Sequence, residues 1–549
     1  MKKRTPIILE IVLCIIVIGI SYFWATGLLD SVYAYRSPLK NTPPQPGESL
    51  DGSHTRSLVI VLIDALRYDT SLDSNVMPFL NELRSEGAYA LMHSRPPSYS
   101  EAGYTVLLTG AWPDLSDGPL INLDYAEIPM FTQDDIFSAA HRAGLRTAVS
   151  GFNWFEKLIP QDAVSANYYT QGEDQAADRQ VTDAALPWLK DGAYQLVLIH
   201  LDQVDYAGHH EGGPIDSRWD AAALRADSLL KEIATSMDLT QDTLLVISDH
   251  GQIDRGGHGG QDLIVLLEPF VLSGRGVIPG NYNDIQMVDV APTVTTILGT
   301  NIPATNEGHP LFEMFDFTTP QVDEIKTALF AQQSQLAQAY QTAIQQPVRV
   351  VEGGDVVTAT QAGMDAARET RLNNQRILRG IFAIILLFLV INLAAWHAKP
   401  HFAWIMGGVV TYLVVFNVKY TILDHKTYSL SSVVDATNLI VTTALTSFIA
   451  LAVAWLLIIL GTKAYQFKPQ LAAKTTLKFI LTTLAFLAIP IFAHYVINGA
   501  TVTWALPNFL ISFLGLLFLI QSLMVAAIGL LLTGVSALIG LLARGKQEY

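Results

Sequence analysis

Asp64, Asp205, His209, Asp249, His250 and His258 fall in three short stretches, each close behind an apolar, β-rich run. The stretches read Val-Leu-Ile-Asp64-Ala-Leu-Arg, His-Leu-Asp-Gln-Val-Asp205-Tyr-Ala-Gly-His209 and Val-Ile-Ser-Asp249-His250-Gly, with Gly-Gly-His258-Gly-Gly shortly after the third. Three carboxylates and three imidazoles suit two borderline-soft divalent cations. Between the first stretch and the other two lies Pro97-Ser98-Tyr99-Ser100, a segment with two aliphatic hydroxyls. A metal pair beside a serine is the equipment of phosphoryl transfer through a covalent intermediate.

Each residue alone has an ordinary explanation. An aspartate at a strand end is most often a helix cap, and a histidine in a polar loop is most often only solvated. Spacing and placement make the group harder to dismiss. Asp205 and His209 are four apart, so one helical turn lets both reach the same cation. Asp249 and His250 end a strand, where a sharp turn aims neighbouring side chains at neighbouring metals. His258 sits in a glycine-rich loop whose backbone bends freely.

The elements that must position these residues are legible as alternating patterns. Residues 58–63, 147–150, 196–201, 243–248 and 263–267 read as short apolar strands, and 77–86, 133–143 and 217–237 as helices. Strands alternating with helices predict an α/β domain with a mainly parallel sheet sandwiched by helices. Ligands of such domains bind beyond the carboxyl ends of the strands. Asp64 and Asp249 stand at such ends, and Asp205 lies four residues past one. No repeat of solenoid length is present.

Composition divides the 549-residue chain further. A bilayer span needs roughly 20 apolar residues. Apolar runs at 7–29, 381–396, 402–418, 439–460, 479–497 and 509–541 predict about six spans. The first has the length of an uncleaved anchor rather than a signal core of ~7–15 residues, although Val32-Tyr33-Ala34 resembles a cleavage site. Glu10 inside it is unusual for either. Lys2, Lys3 and Arg4, the lysines at 463, 468, 474 and 478, and Arg544 with Lys546 all fall on one side if the last block crosses once. The positive-inside rule makes that side cytoplasmic. The expected organisation is an anchor over 1–30, a Pro-rich linker over 31–56, an extracytoplasmic domain over 57–316, a helical connector over 317–379 and a membrane domain of about five spans over 380–549. A formal charge of −16 argues against a nucleic-acid partner. The single cysteine, Cys14, allows no intramolecular disulfide.

The motifs resemble the alkaline phosphatase superfamily, in its type I phosphodiesterase/nucleotide pyrophosphatase branch, and look closest to the glycosylphosphatidylinositol ethanolamine-phosphate transferases. Val61-Leu-Ile-Asp-Ala-Leu-Arg-Tyr-Asp, Ser94-Arg-Pro-Pro-Ser, the run from His200 to His209 with Gly212-Gly-Pro, Leu244-Leu-Val-Ile-Ser-Asp-His-Gly and Gly257-His-Gly-Gly carry the likeness, continued by Val288-Asp-Val-Ala-Pro-Thr-Val, Ile297-Leu-Gly and Ile302-Pro. The resemblance covers about 57–315. It implies an alkaline-phosphatase-like fold and two zinc ions. Asp64, Asp249 and His250 would hold one with the nucleophile, and Asp205, His209 and His258 the other. The branch typically reads Pro-Thr-x-Thr with a Thr-Gly pair nine and ten residues after the second Thr. Pro97-Ser98-Tyr99-Ser100 and Thr109-Gly110 fit that frame and imply Ser100 as nucleophile, with Ser98 as competitor. The Pro-x-His that often follows is absent. Asn122 lies one residue from the place of a phosphate-contacting asparagine. His309 reads as a spare ligand or an exposed side chain, and Arg67 as a structural ion-pair partner.

The expected activity is membrane-bound transfer of a phosphoethanolamine-type group from a phospholipid to a lipid or glycan hydroxyl through phospho-Ser100. A phosphodiesterase or nucleotide pyrophosphatase using the same site with water is the alternative. A sulfatase fits less well, because Ser98-Tyr-Ser-Glu-Ala-Gly-Tyr lacks the proline and arginine of that motif. A third reading, a non-catalytic membrane scaffold, would be expected to have lost ligands.

Overall fold

The computed structural model describes residues 7–350, 354–398, 401–463 and 469–545. Lys2, Lys3, Arg4, Lys468 and Lys546, which enter the charge argument for orientation, lie outside the described residues. The chain forms two compact units. One takes the N-terminal helix and the chain from Leu372 on, apart from Trp504–Leu506; the other is Tyr33–Arg371 with Trp504–Leu506.

The second unit is built on a nine-stranded sheet. In chain order its strands are β1 (Leu58–Ile63), β2 (Ala88–His93), β3 (Thr147–Phe152), β4 (Ala166–Thr170), β5 (Leu196–Leu201), β6 (Thr243–Ile247), β7 (Leu267–Gly274), β8 (Gly280–Asn281) and β9 (Ile285–Gln286). Their spatial order is β4-β3-β5-β1-β6-β7-β2-β8, with β9 also on β2. The pairs from β4 to β6 are all parallel, whereas β7 runs antiparallel to both β6 and β2. Only β7 is therefore reversed, and the sheet is mainly parallel. Every residue of β1 is buried, as expected for a strand covered on both faces. Its side chains alternate between two cores. Leu58, Ile60 and Leu62 pack with residues of the helices Ser100–Thr109, Ile136–Arg142 and Val290–Leu298. Val59, Val61 and Ile63 pack with those of Pro78–Glu86, Gln175–Ala185 and Ser217–Thr235. The unit is an α/β sandwich with β1 at its centre.

One expected strand is displaced. Residues 263–267 form a 3₁₀ turn over Leu263–Leu266, with Leu263 79% exposed, and β7 begins only at Leu267. β7 continues through Glu268 and Pro269, residues that composition assigns away from strands. Leu39, within the expected linker over 31–56, is buried with Leu336, Tyr340 and Ile344 of the helix Thr319–Ile344.

Six described helices are long and apolar enough to cross a membrane. The last is one continuous helix, Phe509–Gly545, so the final apolar block holds a single crossing element. The later part of the expected helical connector over 317–379 and the second span are not separate; both lie in the 43-residue helix Val356–Ala398. No Pro interrupts Val356–Ala398, and a lone glycine such as Gly380 costs a helix interior only about 1 kcal/mol, which leaves the helix continuous. This is the architecture of a multi-pass membrane protein.

Candidate metal centre and nucleophile

The ends of the central strands place the first three candidate ligands. Asp64 follows β1 directly, and Asp249 and His250 follow β6 by two and three residues. Ala65 adopts a φ of 59°, and its N–H donates to Asp249 Oδ1 at 3.2 Å, tying the two strand ends together. Asp205 and His209 lie on the helix Gln203–His210 that follows β5, one turn apart. Asp178 holds the start of that helix by accepting the N–H groups of Asp202 and Gln203 at 2.7 and 3.2 Å. His258 rides a loop in which Gly256, Gly257 and Gly259 all have positive φ. Ser100 opens the helix Ser100–Thr109. Close backbone approach is needed at Gly208, where a Cβ would lie 1.7 Å from the Gln252 side-chain oxygen.

These side chains converge on two adjoining groups. Asp64, Asp249 and His250 form one, with ligand atoms within 4.8 Å of one another, and Asp205, His250 and His258 another. His250 Nε2 lies 3.5 Å from Asp64 Oδ1, 3.3 Å from Asp249 Oδ2 and 3.1 Å from Ser100 Oγ. His209 Nε2 is 3.0 Å from His258 Nε2 and 3.4 Å from Asp205 Oδ2. The His250 and His258 rings stack at 3.9 Å. A third group, Asp64, His200 and Asp202, adjoins the first.

Chemistry shows that the donors fit cations. His250 Nδ1 meets the Gly251 carbonyl at 3.0 Å, and His258 Nδ1 meets the Ser98 carbonyl at 2.9 Å. Each Nδ1 must carry the proton to donate there, so each Nε2 turns a lone pair into the group. Asp64 Oδ1 and Asp249 Oδ2 are buried without a hydrogen-bond partner, an arrangement that is costly unless a cation compensates it. Burial, then the Asp64 charge, pushes Asp249 well above the carboxylate range. Burial pushes Asp205 up as well, with the Asp64 charge adding to it and His209 opposing it. Burial, His250 and His209 hold His258 far below the usual imidazole range. Asp64 is the exception: burial raises it, but hydrogen bonds from His200 and Tyr104 and the nearby His250 and His200 bring it below the ordinary value.

The two serines differ. Ser98 Oγ donates to the Gly260 carbonyl at 3.0 Å and accepts the Gly259 N–H at 2.9 Å, so it ties down the His258 loop. Ser100 Oγ faces His250. Asn122 lies beside it: Oδ1 accepts the Glu101 N–H at 3.2 Å and Nδ2 is 3.4 Å from Ser100 Oγ. Arg67 is committed to ion pairs with Asp69 and Asp254. His309 sits between Asp289 and Asp355, neither a ligand nor unpaired.

Sequence reading missed Tyr104, His200 and Gln252. Tyr104 and His200 both contact Asp64, and Gln252 Nε2 donates to Asp205 Oδ1 at 2.5 Å. One signal was present for His200: an imidazole inside an otherwise apolar strand run needs a buried partner.

A family profile described as type I phosphodiesterase/nucleotide pyrophosphatase matches residues 58–115 and 125–287. The human protein "GPI ethanolamine phosphate transferase 2, catalytic subunit" is 28% identical over 302 residues, covering 50% of this chain and 30% of its own length. Its human counterpart numbered 3 is 25% identical over 336 residues, covering 54% and 30%. This chain thus spans about 30% of the length of these curated relatives. Among solved structures, human ectonucleotide pyrophosphatase/phosphodiesterase 5 aligns over 48% of this chain and 100% of its own, with 11% identity and a TM-score of 0.38. The profile takes in all six converging candidate ligands and Ser100. Across the strands and strand-end site that the profile spans, the globular unit of this chain is similar to the type I phosphodiesterase/nucleotide pyrophosphatase family.

Proposed function

We propose that this protein is a membrane-bound phosphotransferase that moves a phosphoethanolamine-type group from a membrane phospholipid to a lipid or glycan hydroxyl through a covalent phospho-Ser100 intermediate. The observation that carries the reading is the hydroxyl of Ser100 beside His250 Nε2, at the junction of two convergent donor groups. Asp64, Asp249, His250 and Ser100 would hold one divalent cation and Asp205, His209 and His258 a second; such a pair, zinc by its imidazole share, lowers the pKa of a bound oxygen and offsets charge on the phosphoryl group.

The remaining work falls to the chain. Ser100 Oγ attacks phosphorus in line; the Oγ–P bond forms, the bond from phosphorus to the diacylglycerol oxygen breaks, and that oxygen leaves with a proton. The acceptor hydroxyl then displaces Oγ, giving up its proton as the serine recovers one. Ser100 sits in the first turn of its helix, where the dipole favours a phosphoryl dianion or diester. Asn122 Nδ2 has a donor within reach of a phosphoryl oxygen held there. The six apolar helices support a lipid donor, since a soluble substrate calls for only one anchor. By the distribution of basic residues, the globular unit lies outside the cytoplasm.

The family profile's own description supports the second reading, hydrolysis with water as final acceptor. Head-group-labelled phosphatidylethanolamine supplied with candidate lipid acceptors separates the two. Transfer requires a labelled lipid product, whereas free phosphoethanolamine alone, with or without acceptor, establishes the hydrolase. Ser100→Ala should lose turnover by at least about 10³-fold while keeping most of its metal. Near-normal turnover in that variant would overturn the phospho-serine step.

A further inference from the structure

The two carboxylate oxygens of Asp64 are used differently. Oδ2 accepts the hydroxyl of Tyr104 and lies 3.0 Å from His200 Nε2, and the tyrosine oxygen is 2.9 Å from the same nitrogen. Oδ1 has no hydrogen-bond partner and is the oxygen that faces His250. The backbone N–H of Phe152 reaches His200 Nδ1 at 3.4 Å. Nδ1 is thereby the acceptor, which leaves the proton on Nε2, pointing at Asp64 and Tyr104. Both donors are themselves fixed. Tyr104 stacks on Phe155 at 4.6 Å, Phe155 meets the edge of His200 at 5.3 Å, and Asp64, Tyr104 and His200 are each only 1% exposed.

We propose that Tyr104 and His200 are positioning residues that lock the Asp64 carboxylate with Oδ2 turned inward and Oδ1 presented to the metal group. This rests on the reading of Asp64, Asp249 and His250 as ligands. A carboxylate anchored through one oxygen by two donors loses its freedom to rotate, so the other oxygen is held in place before any cation arrives. The lock also reaches the nucleophile. Tyr104 is four residues beyond Ser100 on one helix, so the two side chains lie on the same face. The contact that orients Asp64 therefore also sets the register of the Ser100 helix against the end of β1.

The test uses the full-length chain purified in detergent, with zinc affinity measured by competition against a chromophoric chelator. Tyr104→Phe should weaken one of two zinc sites by about 10–100-fold and leave the other unchanged. His200→Gln keeps an amide N–H near the Nε2 position and should fall between wild type and His200→Leu. The Tyr104→Phe, His200→Leu pair should lose less than the product of the single losses, because both act on one oxygen. Melting of the metal-stripped proteins supplies the readout that a merely structural role would move. Positioning requires the Tyr104→Phe melt to stay near wild type while its affinity falls. Wild-type zinc affinity in both Tyr104→Phe and His200→Leu, alongside loss of one ion in Asp64→Asn, overturns the proposal and leaves the metal reading standing. Full zinc content in Asp64→Asn removes the metal reading itself.

Discussion

Ser98 and Ser100 stand two residues apart yet meet different partners, because the chain passes from loop to helix between them. Ser98 spends both its donor and an acceptor lone pair on Gly260 and Gly259, whereas the Ser100 hydroxyl meets His250 and the Asn122 amide. Ser98→Ala should therefore keep the proposed phospho-Ser100 intermediate and lower thermal stability, by on the order of 1–2 kcal/mol for two hydrogen bonds to a buried loop. Melting and phospho-enzyme trapping on the same preparation check this; loss of trapping equal to that of Ser100→Ala would move the nucleophile. At this scale the ligand types were legible because carboxylates and imidazoles are scarce at the ends of apolar runs. Tyr104 and Gln252 were not legible. A tyrosine in an apolar helix and a glutamine in a loop reveal their roles only through what lies across from them, and sequence does not print that.

Among the elements, the start of the helix Val356–Ala398 carries a pH-dependent joint. Asp355 Oδ2 accepts the Thr358 N–H at 2.7 Å, the geometry of a helix cap, and lies 2.7 Å from His309 Nε2. Burial works against the His309 charge, but Asp289 and Asp355 outweigh it and raise its pKa to about 9. The sign follows from the raised value. The contribution is fully present below the ordinary imidazole pKa of 6.5 and is lost as pH rises through about 9. Amide hydrogen exchange at the first turn of this helix should accelerate across that window beyond the intrinsic rate, and His309→Gln should remove the extra dependence. The same dependence in the variant would assign it elsewhere. His309 had no reading from sequence beyond a spare or exposed histidine, since its partners lie 20 and 46 residues away. Strands were legible where both faces are buried, as in β1 and β5, because their apolar runs are continuous. β2 and β4 are half-buried, and β7 carries Glu268 and Pro269, so their composition hides them. Tertiary pairing, rather than local preference, makes them strands.

For the molecule as a whole, the site gathers charge that the fold does not neutralise. Asp64, Asp205 and Asp249 converge from three strand-end segments, and burial followed by mutual repulsion raises Asp249 far above the ordinary value of 3.8. Without a bound cation, Asp205 and Asp249 bind their protons more tightly in the folded state than in the unfolded state. Their effect on stability is thus most favourable below the unfolded value and declines as pH rises through the raised folded values. A bound cation reverses this, because its ligands must be deprotonated and binding strengthens as pH rises. The difference in melting temperature between the metal-loaded and chelator-stripped chain should therefore be larger at about pH 8 than at about pH 5. Asp249→Asn should shrink the difference at the higher pH, since it deletes both a ligand and a buried acid. A difference that is equal at both pH values, or larger in acid, would mean that these carboxylates do not hold the metal. The convergent acids would then need another source of positive charge, since the ion-pair partners recorded for them among the described residues are all histidines.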